Sequence, residues 1–124
     1  MTALNPCVLV VEDEYLIAEG LRLQLLDMGL MVCGTAATFD AAVEMAETHR
    51  PCVVLMDVRL RGQGDGVDAA LAIHEKVGSK VIFLTGSREP ATLSRIQMDH
   101  PSAILFKPIF GRQLQTALEQ AIAG

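Results

Sequence analysis

The chain has 124 residues, 51% of them hydrophobic and 4% aromatic, and a formal net charge of −5. That length suits one domain over residues 1–124, able to bury roughly two-thirds of its surface in an aliphatic core without disulfides. The acidic balance and the scattered Lys and Arg exclude the basic stripe of a nucleic-acid binder, and no apolar run approaches the roughly 20 residues of a membrane span.

The first element is the apolar run Cys7-Val8-Leu9-Val10-Val11, the pattern of a strand covered on both faces. Residues 14–28 then carry Ile17, Leu21, Leu25 and Met28 at helical spacing, and Gly29 follows as a helix stop. A second strand is expected over 30–36. Thr38 is placed to cap a helix that runs to about residue 48 and is ended by Pro51. Cys52-Val53-Val54-Leu55-Met56 is a third buried strand, ending at Asp57. A Gly-rich loop over 61–66 leads into a third helix, which runs to about Val77 and stops at Gly78. The fourth strand covers 80–84 and ends at Thr85, and a short helix lies between about 89 and 98. Ala103-Ile104-Leu105-Phe106 is the fifth strand, followed by Lys107-Pro108. The last helix carries Leu114, Leu118 and Ile122 on one face.

Alternating βα units with right-handed crossovers give a parallel sheet with helices on both faces. The expected fold is α/β, a (βα)5 doubly wound sheet of flavodoxin-like order 2-1-3-4-5. Cys7, Cys33 and Cys52 lie in or beside apolar runs at no metal-ligand spacing, and read as reduced core thiols of a cytosolic protein. The N-terminus lacks the charged and then apolar pattern of a secretion signal. Met28, Met31, Met45, Met56 and Met98 read as core filler. His49, His74 and His100 have no partner at metal spacing and read as exposed or capping residues. Gly62-Gln63-Gly64-Asp65-Gly66 lacks the glycine and the Gly-Lys-Ser/Thr of phosphate loops, so it reads as a connector. Asp65 and Asp68 suit a helix N-terminus.

In open α/β sheets ligands bind outside the carboxyl ends of the strands, where the strand order reverses. Glu12 and Asp13 follow the first strand, Asp57 ends the third, Thr85 ends the fourth and Lys107 follows the fifth. Three close carboxylates repel unless a cation intervenes. Mg2+ suits such a site because it takes oxygen ligands and leaves positions for phosphate. Asp57 can then act as a carboxylate nucleophile, with Lys107 neutralising the oxygens of a transferred group and Thr85 donating a hydrogen bond to one of them.

Val10-Val11-Glu12-Asp13-Glu14, Leu55-Met56-Asp57, Phe83-Leu84-Thr85-Gly86 and Lys107-Pro108, taken as an ordered set, resemble the receiver domain of two-component response regulators. The resemblance covers about residues 7–122. It implies that Asp57 accepts a phosphoryl group from the phosphohistidine of a sensor histidine kinase or phosphotransfer protein. It implies Asp13 as the direct Mg2+ ligand, Glu12 as its acidic neighbour, and Arg59 as the residue that lends the metal its backbone carbonyl. Thr85 and Lys107 would contact the phosphoryl group, and the Lys107–Pro108 bond would be cis. A downstream protein partner would dock on the face made by the fourth helix, fifth strand and fifth helix, with room for a weak homodimer. No nucleic acid, no membrane and no enzymatic turnover beyond self-phosphorylation from small donors and slow self-dephosphorylation are implied, in a cytoplasmic signalling protein.

Two departures from the family pattern stand out. The position three before the lysine, often an aromatic switch, is Ile104, and the connection from Asp57 to Gly66 is one residue longer than the commonest pattern. Phe83-Leu84-Thr85-Gly86 also resembles a single-domain receiver subgroup, without that subgroup's nearby Tyr. The competing readings are a pseudo-receiver used only for docking, a dehalogenase-type phosphatase and an FMN carrier. Arg59 stands where the phosphatase needs a second Asp, and the first loop lacks the hydroxyl-rich cradle for FMN. The chain fits either a complete protein or a piece of a larger regulator.

Overall fold

In the computed structural model, which describes residues 3–124, five strands alternate with five helices. The strands are β1 (Asn5–Val11), β2 (Met31–Ala36), β3 (Pro51–Asp57), β4 (Lys80–Thr85) and β5 (Ala103–Phe106). The helices are α1 (Tyr15–Asp27), α2 (Phe39–His49), α3 (Gly66–Lys76), α4 (Pro90–Met98) and α5 (Gly111–Ala123). The strands form one parallel sheet of order β2-β1-β3-β4-β5, as the sequence predicts.

The continuous apolar runs explain the layers. Successive side chains of a strand point to opposite faces, so a strand covered on both sides needs apolar residues at every position. On one face Leu9, Val11, Val54, Met56 and Phe83 pack beneath α2, α3 and α4. On the other Val8, Val10, Val53, Leu55, Ile82 and Leu84 pack beneath α1 and α5. Every one of these side chains is buried. Burying one large aliphatic side chain contributes about 1.5–3 kcal/mol, so these two clusters carry most of the drive to fold.

The helix boundaries follow local chemistry. Thr38 caps α2, its hydroxyl accepting from the Ala41 N–H at 3.1 Å. Asp65 caps α3 through the N–H groups of Val67 and Asp68, both at 3.0 Å, and the Asp68 carboxylate returns a bond to the Asp65 N–H. α2 ends not at Pro51 but at Arg50, which takes the left-handed conformation, while Pro51 opens β3.

Several residues expected inside lie outside. In α1 Leu21 and Leu25 are buried and Met28 packs against the core, but Ala18 takes the place expected for Ile17, which is exposed. In α5 the small Ala117 and Ala121 join Leu114 and Leu118 against the sheet, and Ile122 is exposed. Met56 is core and Met28 and Met45 pack at its margin, but Met31 and Met98 are exposed. Met31 opens edge strand β2, and Met98 ends a helix that buries a single side chain, Ile96. The three cysteines are free, and burial together with neighbouring Cys7 pushes the Cys33 thiol up to about 12, so it stays a neutral core group.

Candidate functional site

β1 and β3 lie side by side, yet their chains leave in different directions, and the crevice this opens at their carboxyl ends holds the site residues. Glu12 is fixed by its own N–H, which bonds the Ala36 carbonyl of β2 at 2.9 Å. Asp57 is the last residue of β3, paired with Leu84 of β4, and only 4% exposed. Glu12 is 2% exposed. Glu12, Asp13 and Asp57 bring one carboxylate oxygen each within 4.8 Å of one another.

The backbone beneath Asp57 is held tightly. The Gly66 N–H donates to the Val58 carbonyl at 2.7 Å, folding the long connection back on itself. A Cβ on Gly66 would stand 1.9 Å from the Asp57 carbonyl oxygen, so only glycine permits this approach. The Arg59 N–H donates to Asp57 Oδ1 at 3.3 Å, which turns the chain so that residue 59 lines the crevice.

Lys107 arrives from the end of β5. Its N–H bonds the Thr85 carbonyl at 2.8 Å, and the bond to Pro108 is cis. Lys107 Nζ sits 3.3 Å from Glu12 Oε1 and 3.4 Å from Asp57 Oδ2. Burial opposes the lysine's charge, but the carboxylates of Asp57 and Glu12 outweigh it and raise its pKa, so it is cationic at neutral pH. Glu12 moves the other way: burial, reinforced by Asp57, raises its carboxyl to about 7. One ammonium does not balance three carboxylates. The donor set is all oxygen, two of its members are buried, and the excess negative charge of the Glu12, Asp13 and Asp57 cluster is compatible with a hard divalent cation of the Mg2+ type.

These groups open on a cavity of about 560 Å³, lined by Asp13, Asp57, Arg59, Thr85 and Lys107 among others. Every residue nominated from sequence is therefore at this crevice: Glu12, Asp13, Asp57, Arg59, Thr85 and Lys107. Sequence reasoning missed Ser87 and Glu89 of the β4–α4 connection and Thr92 of the first turn of α4, which also line the cavity. Their proximity depends on how that connection folds, for which a single sequence offers no signal.

The hydroxyl of Thr85 faces its own loop. It accepts from the Ser87 N–H at 3.0 Å and donates to the Ser87 carbonyl at 3.4 Å. The next residue, Arg88, lays its guanidinium over the Phe106 ring, 4.0 Å from the centroid. Ile104 and Leu105 turn to opposite faces, into the two core layers, as strand alternation requires. Beside the cavity, α1 shows an apolar outer face that the sequence reading overlooked, with Tyr15 at 74% and Leu16 at 81% exposure and Leu23 and Leu26 also exposed. No helix is long and apolar enough to cross a membrane among the described residues.

Comparison with known proteins agrees with this architecture. The family model described as "Response regulator receiver domain" matches residues 8–119. Transcriptional regulatory protein PdtaR of Mycobacterium tuberculosis is 35% identical over 116 residues, which is 94% of this chain and 56% of PdtaR. Phyllosphere-induced regulator PhyR of Methylorubrum extorquens is 30% identical over 93% of this chain and 43% of its own length. The chain thus spans about half the length of the curated relatives it matches. Among solved structures, the signal receiver domain of a modulated diguanylate cyclase from Desulfovibrio desulfuricans superimposes with a TM-score of 0.90 at 36% identity, covering 95% of this chain and 94% of that one. Five parallel strands in the order 2-1-3-4-5, an acidic crevice at the switch point and a family match over most of the chain lead to one assignment: the protein belongs to the response regulator receiver family of two-component signalling.

Proposed function

We propose that this receiver accepts a phosphoryl group on Asp57 from the phosphohistidine of a sensor histidine kinase or phosphotransfer protein, with Mg2+ bound by Asp13, Asp57 and the Arg59 carbonyl beside Glu12. The observation that carries the proposal is the convergence of Asp57 with Lys107 at 3.4 Å and the Glu12–Asp13 pair, in one crevice walled by Thr85. A carboxylate oxygen of Asp57 attacks phosphorus, the nitrogen–phosphorus bond breaks, and the imidazole leaves with the bonding pair. Lys107 stands where it neutralises an equatorial oxygen. Thr85 turns its hydroxyl from Ser87 towards the phosphoryl group. Mg2+, when bound, supplies charge neutralisation and lets the phosphoryl group approach the carboxylates.

The unit spans residues 1–124 and acts as a cytoplasmic switch, whether alone or within a longer chain. It is not a turnover enzyme, and Arg59 in place of a second Asp supports that. The donor docks over the crevice, where the exposed apolar side of α1 offers a surface next to the Glu12 end. The output partner reads α4, β5 and α5.

The test is intact mass after incubation with acetyl phosphate, with and without Mg2+. Wild type should gain about 80 Da, one phosphoryl group on a carboxylate, only when Mg2+ is present, and Asp57→Asn should gain nothing. A gain on the variant, or none on wild type, sinks the assignment; the second outcome would favour a docking module that is never phosphorylated.

A further inference from the structure

The β4–α4 connection is held by a turn at Thr85, by the Ser87 hydroxyl, which accepts from the Glu89 N–H at 3.2 Å, and by a stacked arginine. Thr85 Oγ1 both accepts from and donates to the backbone of Ser87, closing a tight turn. Arg88 follows directly and stacks on Phe106. Phe106 in turn is the β5 residue paired with Thr85 across the sheet. One rigid strand end thus supplies the anchor ring, while the neighbouring strand end supplies the turn that aims the guanidinium at it. α4 beyond is lightly attached: Glu89 makes no side-chain cap, Ile96 is the helix's one fully buried side chain, and Leu93 packs half-buried against the core. The far half of α4 is tied instead by Arg95, which bonds Asp65 at 2.9 and 3.2 Å and Asp68 at 3.3 Å. The connection that carries Arg88, ahead of the helix, is mostly exposed.

We propose that Arg88 and Phe106 form a latch that reports the orientation of the Thr85 hydroxyl. While Thr85 bonds Ser87, Arg88 covers the ring. When the hydroxyl leaves that turn, the two Ser87 bonds break, the connection over residues 86–89 shifts, and the guanidinium comes off the ring. Phe106 is then uncovered on the β5 edge next to α4, where a partner can read it. With Ile104 packed in the core layer, the moving group is the cation and the aromatic ring stays in place. The latch rests on the proposed role of Thr85 towards the phosphoryl group for its trigger, but not for its mechanics.

The mechanics are testable without phosphorylation. In the wild-type chain the Arg88 side-chain protons should show a ring-current upfield shift by NMR that Phe106→Leu abolishes. Thr85→Val keeps the buried shape but removes the hydroxyl, and should lose that shift; Thr85→Ser restores the hydroxyl and should keep it. An Arg88 shift unchanged in Thr85→Val overturns the proposal, as does no shift in wild type. The trigger is tested with trifluoroberyllate and Mg2+ as the phosphoryl mimic. Arg88→Ala should bind it about two- to fivefold more tightly, since an exposed cation–π contact that opposes the bound state is gone. Binding of the mimic with Arg88 still on the ring also overturns the latch. No binding of the mimic and no mass gain from acetyl phosphate would instead sink the reading of Asp57, and the Thr85→Val spectrum still decides the latch.

Discussion

The crevice between β1 and β3 and the flank formed by α4 are built on different principles. Glu12, Asp57 and Thr85 stand at the ends of strands whose preceding residues are fully buried, Lys107 follows the half-buried β5, and Gly66 locks the backbone of Asp57 from below. α4 reaches the core with Ile96 and the half-buried Leu93, is tied at its surface by Arg95, and ends on Asp99, whose Oδ2 is buried without a hydrogen-bond partner among the described residues. A switch needs both kinds of region. Chemistry on a carboxylate requires groups held in place, whereas a response that another protein can read requires an element whose position changes at low cost. The family fold supplies the first through apolar strands, and this chain supplies the second through a poorly anchored helix.

The largest effect should come from disturbing the rigid side. Gly66→Ala puts a methyl group 1.9 Å from the Asp57 carbonyl oxygen and 2.9 Å from the Val58 Cα, both backbone atoms that cannot swing aside. A loss of about 3 kcal/mol is expected, at the upper end for overpacking, read as a lower urea midpoint with little change in slope. A near-neutral outcome would mean that the crevice backbone has slack, and the contrast with α4 would fall.

Ile96→Ala probes the loose side. Truncating a buried isoleucine costs about 2–5 kcal/mol in a well-packed core. Because Ile96 is the one fully buried side chain of α4, with Leu93 only half-buried beside it, the global loss should lie near about 2 kcal/mol, the bottom of that range, with the helix detaching before the sheet unfolds. Hydrogen exchange should then speed up in α4 amides and leave β1, β3 and β4 protected. Uniform deprotection of sheet and helix would show that α4 folds as one unit with the core.

Acidity separates the regions in a third way. Glu12 has its carboxyl raised to about 7, and burial also raises that of Asp99. Between the unfolded carboxylate range and about pH 7 the folded chain therefore holds more protons than the unfolded one, so metal-free stability should fall as pH rises through this window and level off above it. Mg2+ needs the deprotonated crevice, so its affinity should rise by about tenfold per pH unit below pH 7, one proton being released per ion bound, and then level off. Asp99→Asn should weaken the stability slope but leave the Mg2+ profile unchanged. Isothermal titration at several pH values and unfolding curves at the same values measure the two effects. A Mg2+ affinity that ignores pH between 5 and 7 would contradict the state assigned to Glu12.

Much of the crevice could be read directly from sequence because of strand geometry. A buried parallel strand is a continuous apolar run, so its end is marked by the first polar residue, and Glu12, Asp57, Thr85 and Lys107 stand at such ends. The outward details were less legible. Ile17, Leu21 and Leu25 have helical spacing, but so do Ala18, Leu21 and Leu25, and only the approach of α1 to the sheet chooses between them. Met31 and Met98 look like core by composition, yet one opens an edge strand and the other ends a helix with almost no buried face. Arg88 and Arg95 meet partners 18 and about 30 residues away, contacts that no local pattern encodes.

The smallest effect expected is the most direct test of how α4 is tied. Arg95 carries two of its bonds to Asp65 and one to Asp68, but the three side chains are all substantially exposed. Surface pairs of this kind contribute about 0.2–1 kcal/mol, and Arg95→Ala should cost no more than that in thermal unfolding at low salt, and less at high salt. Asp65→Ala should cost more, about 1–2 kcal/mol, because it also removes the cap that receives the Val67 and Asp68 N–H groups. The double variant should therefore lose little beyond Asp65→Ala, because the arginine's main partner is already gone. Its consequence for the switch is larger than its energy: with Arg95 removed, exchange protection should fall along the whole of α4, not only at the end near Arg88. If protection instead fell only at that near end, the tie would not be what holds the far half of α4.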